Sequence, residues 1–282
     1  MRFLQNWATP REQALKPARS RAGQPSPGQN GAAQDAPAST LSLGMDPDRV
    51  PIIVNSFNQP TYLRIMVEQL RALGRENLVV LDQASTYPPL LEYLKELEQS
   101  FPVIRLAENK GPHWLFTSGV SLTLPEFFIY TDPDIRFPAD MPPTFVADMI
   151  RAAEALDATK VGLALDVSQP DTMKPAIINI GGADYTLPGW EQQFWREPVS
   201  VDDLQLYRAP VDTTFAIYNR RAFDPHARIY RAHKLFDCMD TPRSYRLAGR
   251  FTSIHTPWMI DDPMPYEELM YYIDHRSKLH DY

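Results

Sequence analysis

A single cysteine, Cys238, stands in the whole chain, so no internal disulfide can form. A lone thiol fits a reducing compartment, and since nothing in the sequence pairs it with one of the six histidines as a nucleophile, it reads as a buried structural residue. No apolar run reaches the roughly 18 residues that a membrane-spanning helix needs. The opening MRFLQNWATP carries one arginine and no long apolar stretch, so no secretory leader is expected. Positive charge is also in deficit: 28 Lys and Arg stand against 35 Asp and Glu, a net of −7. A nucleic-acid groove leaves the opposite footprint, so no nucleic-acid partner is expected. Glycine is scarce, 12 residues in 282, and the segment NSFNQP (55–60) holds neither a glycine nor a basic residue. A Gly-rich phosphate cradle is thereby excluded from that segment.

What is present suffices for one large core. Hydrophobic residues make up 44% and aromatics 11%, and 282 residues do not demand a second domain. The first 45 residues stand apart, because PARSRAGQPSPGQNGAAQDAPAST (17–40) is mostly Pro, Gly, Ser, Ala and Gln. Such a segment cannot bury enough apolar surface to offset its ordering entropy. Residues 1–45 are therefore expected to be a disordered tail and residues 46–282 one domain. Five basic and two acidic side chains give the tail +3, which leaves −10 for the remainder. A mildly basic tail leaves peripheral contact with an anionic membrane open, though a plain linker is the better reading.

From Val50 the pattern becomes regular. PIIVNSF (51–57) is a short apolar run ending in polar residues, the mark of a buried strand. Pro60 opens a helix with Leu63, Met66, Val67, Leu70 and Leu73 at helical spacing, and Gly74 stops it. LVVLD (78–82) is a second strand, Pro88-Pro89 open a second helix, VIRL (103–106) is a third strand and FFIYTD (127–132) a fourth. Strand and helix in alternation imply right-handed crossovers and a mainly parallel sheet with helices on both faces. Ligands of such α/β sheets bind beyond the carboxyl ends of the strands. Asn55, Asn58, Asp82, Asn109, Asp132 and Asp134 all fall at or just after those ends. Further on, VGLALDV, AIINIGG and VDTTFAIY read as strands and PYEELMYYIDHRSKL as a last helix.

The strongest chemical signal is Tyr130-Thr131-Asp132-Pro133-Asp134. Two carboxylates one residue apart follow an apolar strand, and Pro133 stiffens the turn that aims them. Mg²⁺ and Mn²⁺ take oxygen ligands, commonly one or two carboxylates plus substrate phosphates. An ordinary surface turn is the plain alternative. Phosphohydrolases of the haloacid-dehalogenase type also use D-x-D, but expect Thr or Val two residues beyond the second Asp, where this chain has Arg136.

Taken in order, VPIIVNSFNQPTYLRIMVEQL, LVVLDQASTYPPLLEYL, ENKGPHWLF and FFIYTDPDIRFP resemble the nucleotide-binding half of family-2-like glycosyltransferases, with VDTTFAIYNRRAF and FTSIHTPWM extending the likeness. The resemblance is to bacterial members linked to capsule or lipopolysaccharide assembly. It implies a GT-A (Rossmann-like) fold and a cytoplasmic enzyme at or near the inner face of the membrane. The substrates it implies are a nucleoside-diphosphate sugar, commonly UDP-linked, and a saccharide or lipid-linked acceptor. It implies that Asn55 to Asn58 line the nucleotide and that Asp82 meets the base, although Asp82 also suits a cap on the Ser85-Thr86 turn. Asn109 would lie near the ribose or diphosphate, or form a bare turn. Asp132 would meet ribose and metal, Asp134 the metal, and His255 the metal or a structural partner, with Mn²⁺ or Mg²⁺ as the ion.

An inverting transfer also needs a base for the acceptor hydroxyl. The Glu-Asp pair usual in the family is missing, which leaves Asp212, read as the head of an apolar strand, and Glu191, read on a short aromatic helix. Each has a plain alternative, a strand cap for Asp212 and a solvated face for Glu191. Trp190 and Trp195, with Gly181-Gly182, read either as an acceptor wall or as core. Two rivals remain: a metal-dependent sugar nucleotidyltransferase, weakened by NSFNQP, and a non-catalytic carbohydrate-binding protein on the same fold. The tail reading yields one test. Deleting residues 1–44 should leave the melting temperature and donor affinity unchanged, and a fall of several degrees would show that the tail packs on the domain.

Overall fold

The computed structural model describes residues 46–275 apart from 181, 213 and 225–242. The expected tail, Cys238 and Gly181 lie outside the described residues. Four strands open the domain: Ile52–Ser56 (β1), Leu78–Asp82 (β2), Val103–Arg105 (β3) and Phe127–Thr131 (β4). They alternate with Pro60–Ala72 (α1), Pro88–Leu97 (α2) and the single turn Trp114–Thr117 (α3). Pro60 stands in the first turn of α1, where a missing N–H costs nothing. Gly74 ends it at φ 70°, its N–H on Arg71 and that of Arg75 on Leu70, a closure that favours glycine.

Beyond β4 the chain forms Ile135–Arg136 (β5), Phe145–Ala155 (α4), Lys160–Leu163 (β6), the hairpin Ile177–Ile180 (β7) and Ala183–Thr186 (β8), and Leu187–Glu191 (α5). Then come Pro198–Val201 (β9), Leu204–Arg208 (β10), Ala216–Asn219 (β11), Ser244–Leu247 (β12), Ile254–His255 (β13) and Tyr266–His275 (α6). Nine strands share one sheet in the order β3-β2-β1-β4-β11-β6-β12-β10-β9. Only β10 and β11 run against the other seven, so the sheet is mixed but mainly parallel. Among the described residues no helix is long and apolar enough to cross a membrane.

Alternation along each strand feeds two cores. Ile52, Val54, Val80 and Ile129 face Leu63, Leu94, Phe145 and Met149, so α1, α2 and α4 cover one face. Ile53, Leu81, Phe128 and Tyr130 face Leu115 and Phe116 of α3 on the other. A third, smaller cluster joins Met173, Ile178, Ile180, Leu187 and Met259 around the β7–β8 hairpin. The last helix returns to the front of the sheet. Thr61 donates to buried Glu268 from its N–H at 3.1 Å and its hydroxyl at 2.6 Å, which caps the start of α1 across 207 residues. Tyr271 donates to Thr86 Oγ1 at 3.1 Å and packs on Tyr87.

Phe116 is fully buried and its ring meets those of Phe128, Tyr130, Tyr218 and Phe223 with centroids 4.9–6.3 Å apart. Phe116→Ala should lower the unfolding free energy by about 3–5 kcal/mol in urea titration. Ile104→Thr, on the edge strand at 49% exposure, should shift it by no more than about 0.5 kcal/mol. Equal losses would show that α3 adds nothing to the second core.

Candidate functional site

The strand ends are tied together by side chains. Asn55, at the end of β1, donates from Nδ2 to Asp132 Oδ1 at 3.2 Å, and its Oδ1 accepts from Gln83 Nε2 at 2.8 Å. Gln83 Oε1 in turn accepts from the Lys110 N–H at 3.1 Å. The segments after β1, β2, β3 and β4 thus form one network, and Gln83 is its unforeseen member. Its only signal in the sequence is its place just after Asp82.

Asp82 is buried, and its Oδ2 accepts from the Ser85 N–H at 3.1 Å, so the turn-cap reading holds for that oxygen. Its Oδ1 is buried with no hydrogen-bond partner among the described residues. Burial raises its pKa against the pull of Ser85 and Arg105. Asn58, at φ 51°, accepts on Oδ1 from the Thr86 and Tyr87 N–H groups at 2.8 and 2.9 Å, so its oxygen holds the 85–87 loop. Asn109 Oδ1 accepts from the Gly111 N–H at 2.9 Å, the geometry of a turn.

Asp134 and His255 are joined through the small β5–β13 ribbon, where His255 pairs with Ile135 and the Thr256 N–H donates to the Asp134 carbonyl at 2.9 Å. His255 Nε2 lies 3.3 Å from Asp134 Oδ2. Burial works against the imidazolium, yet Asp134, then Asp132 and Glu191, outweigh it and raise the His255 pKa. Among the described residues no three His, Cys, Asp or Glu side chains converge as a ready metal cage. Asp132 bonds to Asn55 and Asp134 to His255, so the expected trio is split into two arms. Such an open set of carboxylates fits a hard cation that shares its ligands with phosphates rather than a closed protein site.

Glu191 and Asp212 sit elsewhere than the sequence implied. Glu191 is no solvated residue: it is 2% exposed, one α-helical turn from buried Leu187 on α5, and paired with Arg246 Nη1. Asp212 does not head a strand, because β11 begins only at Ala216; it lies in an irregular segment, half-buried. The two carboxylates nonetheless share one electrostatic neighbourhood with His255. Burial pushes the Glu191 carboxyl up to about 7, against Arg246 and His255, with Asp212 adding to the rise. Trp190 packs edge-on to Tyr185 and Phe194, and Trp195 against Tyr207, both partly exposed. Beside the ribbon lies a cavity of about 500 Å³ walled by Arg136, Asp171, Met173, Ile254, Met259 and Asp261.

Glu191 makes the domain pH-sensitive in a defined direction. A carboxyl that binds its proton more tightly in the folded state gives full stabilisation below its unfolded pKa of 4.5 and loses it as the pH rises through about 7. Relative to Glu191→Gln, which does not titrate, the wild type should lose unfolding free energy across that window. A constant difference between the two proteins would show that Glu191 stays ionised throughout.

The mannosyltransferase PcManGT of Pyrobaculum calidifontis, solved with GDP-Man and Mn²⁺, is 13% identical at a TM-score of 0.43, the match covering 73% of this chain and 56% of that one. TarS of S. aureus, residues 1–349, is 14% identical at 0.46, covering 82% and 68%. A UDP-glucose pyrophosphorylase complexed with UDP-glucose is 11% identical at 0.40, covering 80% and 100%. A comparison with curated proteins returned no match. The pattern of Glycosyl transferase family 2 matches residues 52–225, from the first residue of β1 to beyond β11, and the chain belongs to that family.

Proposed function

We propose that the protein transfers a sugar from a nucleoside-diphosphate donor, UDP-linked, to a saccharide or lipid-linked acceptor, with inversion at the anomeric carbon and a divalent cation, Mn²⁺ or Mg²⁺. One observation carries the reading. The two carboxylates of Asp132-Pro133-Asp134 stand at the carboxyl edge of the sheet, the first bonded to Asn55 of β1 and the second to His255. Asp132 and Asp134, with His255 behind them, would hold the cation. When bound, that ion supplies positive charge to offset the departing diphosphate.

The chain's own groups do the rest. The Asn55–Gln83 network orients Asp132 before any donor arrives. Asp82 Oδ1, without a partner among the described residues, is an acceptor waiting for a donor, and an unmade buried bond costs about 1–3 kcal/mol. A base with an imino N–H, such as uracil, meets that demand. Asp212 is the less buried of the two late carboxylates and is the group able to take a proton from an acceptor hydroxyl. Glu191, closed off against Arg246, supports it from behind. The cavity beside the β5–β13 ribbon, apolar at Met173, Ile254 and Met259 and carboxylate-lined at Asp171 and Asp261, suits a polyhydroxylated acceptor.

The test is a thermal-shift screen of UDP, GDP, CDP and dTDP sugars with Mn²⁺, followed by turnover. Asp134→Ala should abolish transfer with the fold intact, and full turnover in excess EDTA would remove the metal from the proposal. Asp212→Asn should lower kcat by about 10²- to 10⁴-fold with donor Kd unchanged. Glu191→Gln should mainly raise the acceptor KM. A product of retained anomeric configuration would overturn the need for a base.

A further inference from the structure

Residues 210–212, which carry Asp212, belong to no strand. Three consecutive carbonyls there are nevertheless each held by a cationic side chain. Arg246 Nε donates to the Pro210 oxygen at 2.7 Å, and Lys160 Nζ donates to those of Val211 and Asp212, both at 2.7 Å. Both side chains are buried, Lys160 at 0% and Arg246 at 3% exposure. They come from the neighbouring parallel strands β6 and β12, whose register sets Lys160 beside Ser244 and Gly162 beside Arg246. Lys160, Gly162 and Arg246 therefore share one face of the sheet.

The segment lies flat on that face. A Cβ at Gly162 would stand 2.4 Å from Val211 Cγ1, so only glycine lets Val211 down onto the sheet. Arg246 also stacks on Phe194 and pairs with Glu191, while Lys160 sits over the Tyr218 ring at 4.8 Å. One guanidinium thus touches both the helix that bears Glu191 and the segment that bears Asp212. Burying charge is expensive, and an apolar side chain of similar volume is often as stable or more so. Stability alone gives little reason for two cations here.

We propose that Lys160 and Arg246 are positioning residues for the transfer: by gripping the carbonyls of Pro210, Val211 and Asp212 over Gly162, they hold the Asp212 and Glu191 carboxylates in one arrangement. The inference rests on the reading of Asp212 as the group that meets the acceptor hydroxyl. A displacement of about 1 Å in such a group can lower the rate by about 10²-fold.

The test displaces the segment in two ways. Lys160→Met removes the grip, and Gly162→Ala lifts Val211 without touching any charge. Each should lower kcat by about 10- to 100-fold while the Kd for UDP with Mn²⁺ stays within about twofold. Adding Val211→Ala to Gly162→Ala makes room for the new methyl and should restore most of the lost kcat, a coupling read from the double-mutant cycle. Arg246→Lys keeps the charge but not the fork that spans Glu191 and the Pro210 carbonyl, and should also lower kcat; an unchanged kcat there would count against the role of Arg246. Hydrogen exchange of the peptide spanning 209–216 should quicken in Lys160→Met. Unchanged kcat in both single variants, or no recovery in the double variant, overturns the positioning role. A wild type that transfers no sugar would overturn the transferase reading instead, and the exchange data would still decide whether the cations hold the segment.

Discussion

Charge buried in the sheet governs the second half of the domain. Arg246 and Glu191 are 3% and 2% exposed, and each would cost several kcal/mol if left alone in so dry a place. The Arg246 fork is divided between Glu191 and the Pro210 carbonyl, and its flat face lies on Phe194. Lys160 imposes the same discipline one strand away. An irregular segment is fastened here through three consecutive carbonyls that accept from the buried cations.

The two ends of the sheet are organised on different principles. From β3 to β4 the strands are parallel, and their carboxyl ends are joined by neutral amides, Asn55 and Gln83, around Asp132. Beyond β4 the sheet is mixed, with β10 and β11 reversed, and cations replace amides as the fastening. Asp134, one residue before β5, and His255 of β13 meet at the end of a small ribbon that is separate from the main sheet. A group poised there feels both the polar strand ends and the buried charges, which is why His255 responds to Asp134, Asp132 and Glu191 together.

How far the sequence could be read follows from the length of its signals. β1, α1, β2, α2 and β4 are legible because five or more residues repeat one period, and the boundaries fall within a residue or two. α4 carries the same signal in Phe145, Val146, Met149 and Ile150, but Pro138, Pro142 and Pro143 just before it obscure the start. β12 is SYRL, whose arginine points inward, so its pattern speaks against a buried strand. Glu191 lies on a five-residue helix, too short for periodicity to separate inside from outside. Its partner is 55 residues away, and no local pattern announces that distance. The position of Asp132 and Asp134 just beyond a strand was legible for the opposite reason: it is marked by immediate neighbours, an apolar strand before and a proline between.

The contact between Glu268 and Thr61 has a consequence in time. A chain leaves the ribosome at about 5–20 residues per second, and its early parts fold first. The start of α1 and the loops beside it would be among the earliest parts made, yet their cap arrives 207 residues later. For roughly 10–40 s of synthesis the front edge of the nascent sheet therefore lacks its final brace. The loops beside the start of α1 gain these contacts only when the last helix emerges, so the early strands are made well before the brace on their carboxyl edge.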